Sequence, residues 1–299
     1  MLGMAQQVPQ YSHYLFNQFQ INPAVAGSKE CLDMRFGYRS QWVGFENAPR
    51  TAFGSINGVI GKKKGRTKTF QAGGIMLESD ITEPTSRTTV QLAYAYHFPA
   101  GRKTTASIGL YAGFTQYVLD VTGINTPFEM DPVLAGGSNS NLLIPEVTPG
   151  FWFKGPTFFL GASLRHVTAN KIDDSDFRVA RLRQHLALTG GKAIKMGDNS
   201  TFIPSTMIKF APTAPLAVDV NAMFDFDQRL AVGVGYRNAD AFVGLLKLNF
   251  LNYFTLGYAY DVTTSPLKAS ASNSHEVILG ITACPFNGAS GHVPCSAYD

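Results

Sequence analysis

Charge is scarce in this chain. Asp, Glu, Lys and Arg make up 15% of its 299 residues, against about a quarter in an average soluble domain. Trp occurs twice and Cys three times. There is no run of about 20 apolar residues from which a spanning helix is built. The best stretch, Phe242 to Tyr260, is broken by Lys247, Asn249 and Asn252. An intact signal peptide, with a charged start and an apolar core of about 7–15 residues, is also missing. Residues 1–5, Met-Leu-Gly-Met-Ala, read as a signal-peptide remnant cut after Ala5. The net charge of +4 forms no concentrated basic face, so nucleic acid is not an expected partner.

What the chain has in quantity is Gly (29), Phe (22) and Tyr (12), with 45% hydrophobic residues. That is too apolar for a disordered chain, and the length suits two ordinary domains or one large all-β domain. Alternation is the main signal. Val90, Leu92, Tyr94, Tyr96 and Phe98 share one face, and Thr89, Gln91, Ala93, Ala95 and His97 the other. Leu216, Val218, Val220, Ala222 and Phe224 oppose Ala217, Asp219, Asn221, Met223 and Asp225. Leu230, Val232, Val234 and Tyr236 oppose Arg229, Ala231, Gly233, Gly235 and Arg237. Period two means strands, because successive side chains leave a pleated backbone on opposite sides. The helix-like stretch obeys the same rule and reads as two strands turning near Leu251-Asn252.

One face of each run is large and apolar; the other is small or polar, thinly charged and rich in Gly. A soluble sandwich or lipocalin-like fold would carry abundant Lys and Glu on the second face. A barrel in lipid accounts for both faces, with Tyr and Phe near strand ends as an interfacial girdle. The expectation is an all-β transmembrane antiparallel barrel of about fourteen strands over residues 32–283. The runs lie near 32–41, 51–60, 69–78, 87–97, 105–120, 146–154, 157–166, 181–193, 200–210, 215–224, 228–237, 241–249, 252–261 and 274–283. Long connections at 121–145, 167–180 and 262–273 alternate with short ones, the asymmetry of outer-membrane barrels with periplasmic N- and C-termini. The basic turns Lys62-Lys63-Lys64-Gly65-Arg66 and Gly101-Arg102-Lys103 then face the periplasm.

Residues 6–31 fit no strand. Tyr11, Tyr14, Leu15 and Phe19 recur at near-helical spacing until Asn22-Pro23 ends the pattern. The segment reads as a plug in the lumen or at its periplasmic mouth, with Tyr11, Tyr14, Phe16, Asn17, Phe19, Asn22 and Pro23 as its contact residues. Arg165, Arg181, Arg183 and His185 share lumen parity as a positive band, or pair internally with Glu276 or Asp219. Cys284 and Cys295 bracket part of a C-terminal tail, 284–299, expected in the periplasm. They are the first candidates for a disulfide, with a bond from Cys31 to Cys284 across the barrel seam as the rival.

Chemistry is not visible. There is no Gly-x-Ser-x-Gly elbow, phosphate loop or His-Glu-x-x-His, and the six His are not spaced as metal ligands. No catalytic residue, metal or cofactor is expected. Asp173-Asp174-Ser175-Asp176 reads as an exposed charged loop before it reads as a calcium site.

Three stretches resemble the PorP/SprF family of type IX secretion and gliding barrels. They are Gln10–Gln18 with Ile21–Ser28, then Tyr38-Arg39-Ser40-Gln41-Trp42-Val43-Gly44-Phe45 with Ala48-Pro49-Arg50-Thr51, then Tyr258–Thr263 with Ser274-His275-Glu276. The resemblance implies a non-enzymatic outer-membrane protein that receives or anchors a secreted, adhesin-type cargo through its C-terminal domain. Periplasmic ring components of the secretion machinery and outer-membrane lipid are the other implied partners. Tyr38, Trp42, Phe45 and Arg50 are candidate partner-binding residues at the first outer loop, aromatic anchors of the kind found in hot spots. The alternative reading is a porin or transporter for small solutes or lipids.

Overall fold

The computed structural model of the chain describes residues 8–62, 69–120, 140–168, 171–172, 180–212, 214–238, 240–251, 253–265 and 273–283. A short helix α1 (Gln18–Ile21) and a 3-10 turn (Pro23–Val25) precede the strands. These are β1 (Asp33–Ser40), β2 (Arg50–Lys62), β3 (Phe70–Thr82), β4 (Thr85–Pro99), β5 (Thr105–Leu119), β6 (Ser140–Lys154) and β7 (Phe158–Arg165). The two-residue β8 (Lys171–Ile172) and β9 (Ala180–Arg181) follow, then β10 (His185–Lys192), β11 (Ile194–Lys195) and β12 (Ser200–Phe210). The last are β13 (Ala217–Phe226), β14 (Leu230–Arg237), β15 (Ala241–Phe250), β16 (Phe254–Thr263) and β17 (Ser274–Thr282).

Neighbours in sequence are neighbours in space. The sheet runs β10-β7-β6-β5-β4-β3-β2-β1-β17-β16-β15-β14-β13-β12, and β12 pairs back with β10. That pairing, from Leu186 opposite Phe210 to Gly191 opposite Ser205, closes a fourteen-stranded antiparallel barrel. β11 adds a short strand against β12, and β8 pairs with β9 apart from the wall. First and last strands meet at a seam running from Asp33 opposite Thr282 to Ser40 opposite His275.

Closure joins the two ends of the sheet, and the alternation sorts into outside and inside. Val90, Leu92 and Tyr94 are exposed while Thr89, Gln91, Ala95 and His97 are buried. Val220 and Phe224 are exposed, and Asp219, Asn221 and Met223 buried. Leu230, Val232, Val234 and Tyr236 face out, and Ala231 and Arg237 face in. An exposed belt of Leu, Ile, Val, Phe and Tyr around buried charge has the polarity of a barrel in lipid. The large buried side chains inside include Trp152 stacked on Phe159 at 4.9 Å, with Met76, Tyr111 and Met223.

The two rims differ. One holds the starts of β1, β3 and β5 and the end of β17, with the short connections 100–104, 155–157, 227–229 and 251–253. That rim also holds the longer 63–69 and 193–199; the other holds the long 41–49, 120–139, 166–184 and 264–273, together with the short 83–84, 211–216 and 238–240. The expected asymmetry is therefore present at most, not all, of the connections.

β6 begins six residues earlier than the alternating run at 146. It pairs with β7 only over Gly150–Lys154, so its upstream half meets β5 alone among the described residues. Pro145 and Pro149 sit there, where a missing N–H costs no ladder bond to a second strand.

The outward assignment has a direct test. Val234 lies mid-strand in β14 at 68% exposure. Val234→Arg is expected to cost about 2–4 kcal/mol if that position faces the bilayer interior. Urea unfolding in lipid vesicles, followed by loss of the compact heat-modifiable form, measures it; an unchanged midpoint contradicts the assignment.

Candidate functional site: the segment inside the barrel

Residues 11–28 lie within the ring of strands, and local chemistry explains their shape. Helix α1 is one turn long because Asn22, held extended at φ −139° and ψ 116° before Pro23, cannot continue it. The Asn22 side chain then accepts a hydrogen bond from the Ala24 amide at 3.0 Å, capping the 3-10 turn that Pro23 begins. Gly27 adopts φ +64°, and a Cβ there would lie 2.4 Å from the Ala72 methyl. Only glycine meets both demands.

The wall makes room by the same means. A Cβ on Gly109 of β5 would fall 2.5 Å from the Ala24 nitrogen, and one on Gly150 of β6 would meet the Asn22 side chain at 2.1 Å. The Gly-rich inner face therefore lets two backbones approach. Tyr11, Tyr14, Phe16, Phe19, Ile21 and Val25 are buried in one cluster with inward-facing wall residues. Phe19 packs on Tyr111 at 5.5 Å, Tyr11 sits edge-on to Phe53 at 5.1 Å, and the Arg35 guanidinium lies 4.0 Å from the Phe16 ring centroid.

Main-chain groups of the segment are held by wall side chains on every side. Tyr111 donates to the Phe19 carbonyl, Arg165 to Gln20 at 2.6 Å and Ser163 to Ile21 at 2.8 Å. Ser107 donates to Ala24 at 2.8 Å, His97 to Ala26 at 2.7 Å and Lys154 to Ser28. The Glu276 carboxylate accepts the amides of Ser12 and His13 at 2.8 and 3.0 Å. Asn57 accepts that of Gly27 at 2.9 Å. In return the Asn22 amide donates to Phe151 at 2.8 Å and Ala162 at 3.2 Å. The path is directional. Ala26 and Ser28 lie by the short-turn ends of β4 and β6, and Ser12 and His13 by the opposite ends of β1 and β17.

Two buried ionic clusters grip the deeper end. In one, Asp261 receives Arg39 at 2.7 Å and Arg237 at 3.1 Å, Glu276 receives Arg39 at 3.2 Å, and Asp219 receives Arg237 at 2.8 Å and Lys209 at 2.9 Å. The Ser12 hydroxyl donates to Asp261 at 2.7 Å and accepts from Arg39 and Arg237. In the other, Glu78 accepts from the Tyr11 hydroxyl and from Arg87 at 2.8 Å, with Arg165 at 3.7 Å. Burying such ions is tolerable only when each finds opposite charge, and each here has a counter-charge within 4 Å. Burial and the Glu78 charge together raise the Tyr11 hydroxyl well above its ordinary pKa.

His13 is different. Its Nε2–H donates to the Leu246 carbonyl at 3.0 Å, so Nδ1 carries the lone pair, and it has no partner among the described residues. Burial pushes the imidazole pKa down to about 4, with Lys247 and Arg35 adding repulsion against the favourable Leu246 bond.

The expected site residues divide. Tyr11, Tyr14, Phe16, Asn17, Phe19, Asn22 and Pro23 are all buried in the segment. Arg165 reaches the segment and Glu78, in place of the Glu276 or Asp219 considered for it. His185 stands beside His166, ring centroids 5.9 Å apart. Arg183 is exposed, between β9 and β10, because the strand starts only at His185. Arg183 is thus not buried with Arg165, and the Arg181 side chain lies outside the described residues. Tyr38 and Phe45 are exposed, Trp42 is half-buried at φ +48°, and Arg50 is exposed at the start of β2. The loop 41–49 leans on the seam, the Trp42 amide donating to Ser274 Oγ at 3.1 Å and the Val43 amide to the Asn273 carbonyl at 3.0 Å. Cys31 is disulfide-bonded, and in a chain of three Cys this excludes the expected bond between Cys284 and Cys295. Cys284, Cys295, residues 1–5, the tail 284–299, the Asp173–Asp176 loop and most of the Lys62–Arg66 turn fall outside the described residues. Arg39, Glu78, Arg87, Arg237 and Asp261 were not singled out, although their inward parity and charge were the available signal.

Two outcomes follow from this geometry. Gly109→Val forces a Cβ against Ala24, and overpacking of about 1–3 kcal/mol is expected to raise exposure of the segment roughly 5- to 150-fold. The rate of chymotryptic cleavage between Tyr11 and Phe19 reads this; an unchanged rate contradicts the close approach. For His13 the folded pKa lies below the unfolded value of roughly 6.5. Its contribution is thus complete above that value and is lost as pH falls towards about 4, by on the order of 3 kcal/mol. Comparing urea midpoints of the native chain and His13→Asn between pH 7 and pH 4 isolates it; parallel pH curves contradict the buried neutral imidazole.

Comparison with known proteins bears on identity. Among solved structures, the toluene transporter TbuX of Ralstonia pickettii superposes with a TM-score of 0.51 at 12% identity, covering 88% of this chain and 92% of its own. The toluene transporter TodX of Pseudomonas putida gives 0.48 at 9% identity, with coverages of 89% and 92%. At such identity the likeness is one of fold. Comparison with curated proteins gives no match. The model of the family described as type IX secretion system membrane protein PorP/SprF matches residues 3–281, and with that match, on an outer-membrane barrel, the chain belongs to the PorP/SprF family.

Proposed function

We propose that this barrel receives a secreted surface protein of the type IX system and holds it at the cell surface, as in adhesin display and gliding. The observation that supports the reading is the segment 11–28, buried and bonded to inward-facing side chains of the strands. A wide barrel conducts only if its interior is open to water, whereas here residues 11–28 bond to side chains from β2 round to β17. With family membership, this favours holding a polypeptide over passing solutes.

In this reading the short-turn rim, carrying the exposed Gly101-Arg102-Lys103 turn and the C-terminal end of β17, faces the periplasm and the machinery's ring components. The opposite rim faces outwards. There Tyr38, Phe45 and the half-buried Trp42 offer aromatic surface beside Arg50, a combination suited to a cargo C-terminal domain. The fold shared with TbuX keeps solute transport as the competing role.

Deleting the gene is expected to remove the cargo from the surface of intact cells, and the complemented strain to restore it. Cargo still displayed after deletion contradicts the function. Trp42→Ala with Phe45→Ala is expected to lower cargo co-purification at least roughly tenfold, the effect of losing two moderate hot spots. Equal co-purification from a folded double variant removes the rim from the interface.

A further inference from the structure

We infer that the lumen is a polypeptide-binding groove, filled in cis by residues 11–28, which accepts an uncharged segment of the secreted protein when the cis segment withdraws. The inference rests on the cargo-receiving function proposed above and names the place and chemistry of the contact.

The first support is what the wall reads. Its side chains address the carbonyls of Phe19, Gln20, Ile21, Ala24, Ala26 and Ser28 and the amides of Ser12, His13 and Gly27. Main-chain recognition carries affinity without fixing sequence, as when an extended peptide adds to a sheet edge. A second chain drawn equally close to Gly109 and Gly150 presents the same main-chain groups.

The second support is that the cis occupant matches its site imperfectly. Asn17 and Gln18 are 1% and 3% exposed, yet the oxygen and nitrogen of both side-chain amides have no hydrogen-bond partner among the described residues. Buried polar atoms left unpaired are a cost that a permanent filling would remove by carrying Leu or Met there. A resident that must leave benefits from keeping it.

The third is charge. Residues 8–28 contain no Asp, Glu, Lys or Arg, while the charges around them are paired within the wall, Arg39 and Arg237 with Asp261 and Arg87 with Glu78. An uncharged replacement leaves those pairs intact; a charged one breaks them. The geometry also supplies a hinge, since Gly27 at φ +64° and Glu30 at φ +57° join the segment to β1.

The test uses the full chain in planar lipid bilayers. Ser12→Ala with Asn22→Ala loosens the segment without touching the wall, and its heat-modifiable mobility verifies folding; Ser12→Ala alone replaces it if that check fails. The loosened protein is expected to conduct at least roughly fivefold more than the native one, the low end of a typical coupling. A synthetic peptide of residues 10–28 should close it, and the same peptide N-methylated at positions 12, 13 and 27 should not. A loosened variant that stays closed, a plain peptide that leaves it open, or equal closure by both peptides overturns the inference. None of these results touches the deletion experiment, so lumen binding can fail while cargo display stands.

Discussion

Closure of the sheet by the β10–β12 pairing is the constraint on which the other features depend. In hydrocarbon an unpaired strand edge leaves N–H and C=O groups without partners, so a spanning sheet must join its ends. Once joined, alternation has only two destinations. Leu, Ile and Val of one parity turn outwards, as Leu92 and Val234 do, and residues of the other parity turn to the interior, as Gln91 and Asn221 do. An even number of strands also returns β17 to the rim where β1 began, which is why Asp33 and Thr282 face each other.

Inside the ring, the segment from Tyr11 to Ser28 is buried in one cluster with inward-facing wall side chains. Its presence explains two compositional oddities together. The inner face is rich in Gly because Gly109 and Gly150 touch the backbone and side chains of Asn22, Pro23 and Ala24. Charge is scarce overall, yet a buried cluster stands inside, where Arg39, Arg237 and Lys209 oppose Asp219, Asp261 and Glu276 around Ser12. The grip is on main-chain groups, and this links packing to function. A groove built to hold backbone holds more than one sequence.

Much of the architecture was legible in the sequence because period two survives translation into a barrel unchanged. The face of His97, Asp219 or Phe242 follows from parity alone. Neighbours do not. Parity placed Arg165 inside but gave no reason to choose Glu78 over Glu276, since those pairings depend on where the internal segment lies. Arg183 had inward parity but lies before the first paired residue of β10, where parity has no meaning. The upstream end of β6, Ser140 to Pro145, lies in the stretch expected as the 121–145 connection, and it pairs on one side only among the described residues. The segment itself was visible as aromatic residues ended by Asn22-Pro23, but its four-residue helix and its course from one rim towards the other were not.

Hydrogen exchange on the intact protein in lipid vesicles tests the central claim most directly. If residues 12–28 are held inside the ring by the contacts described, their amides, those of Ser12, His13 and Gly27 above all, exchange as slowly as the amides of the flanking strands β1 and β2. Exchange of these amides at the rate of an unstructured peptide, in a barrel whose strands stay protected, contradicts the account.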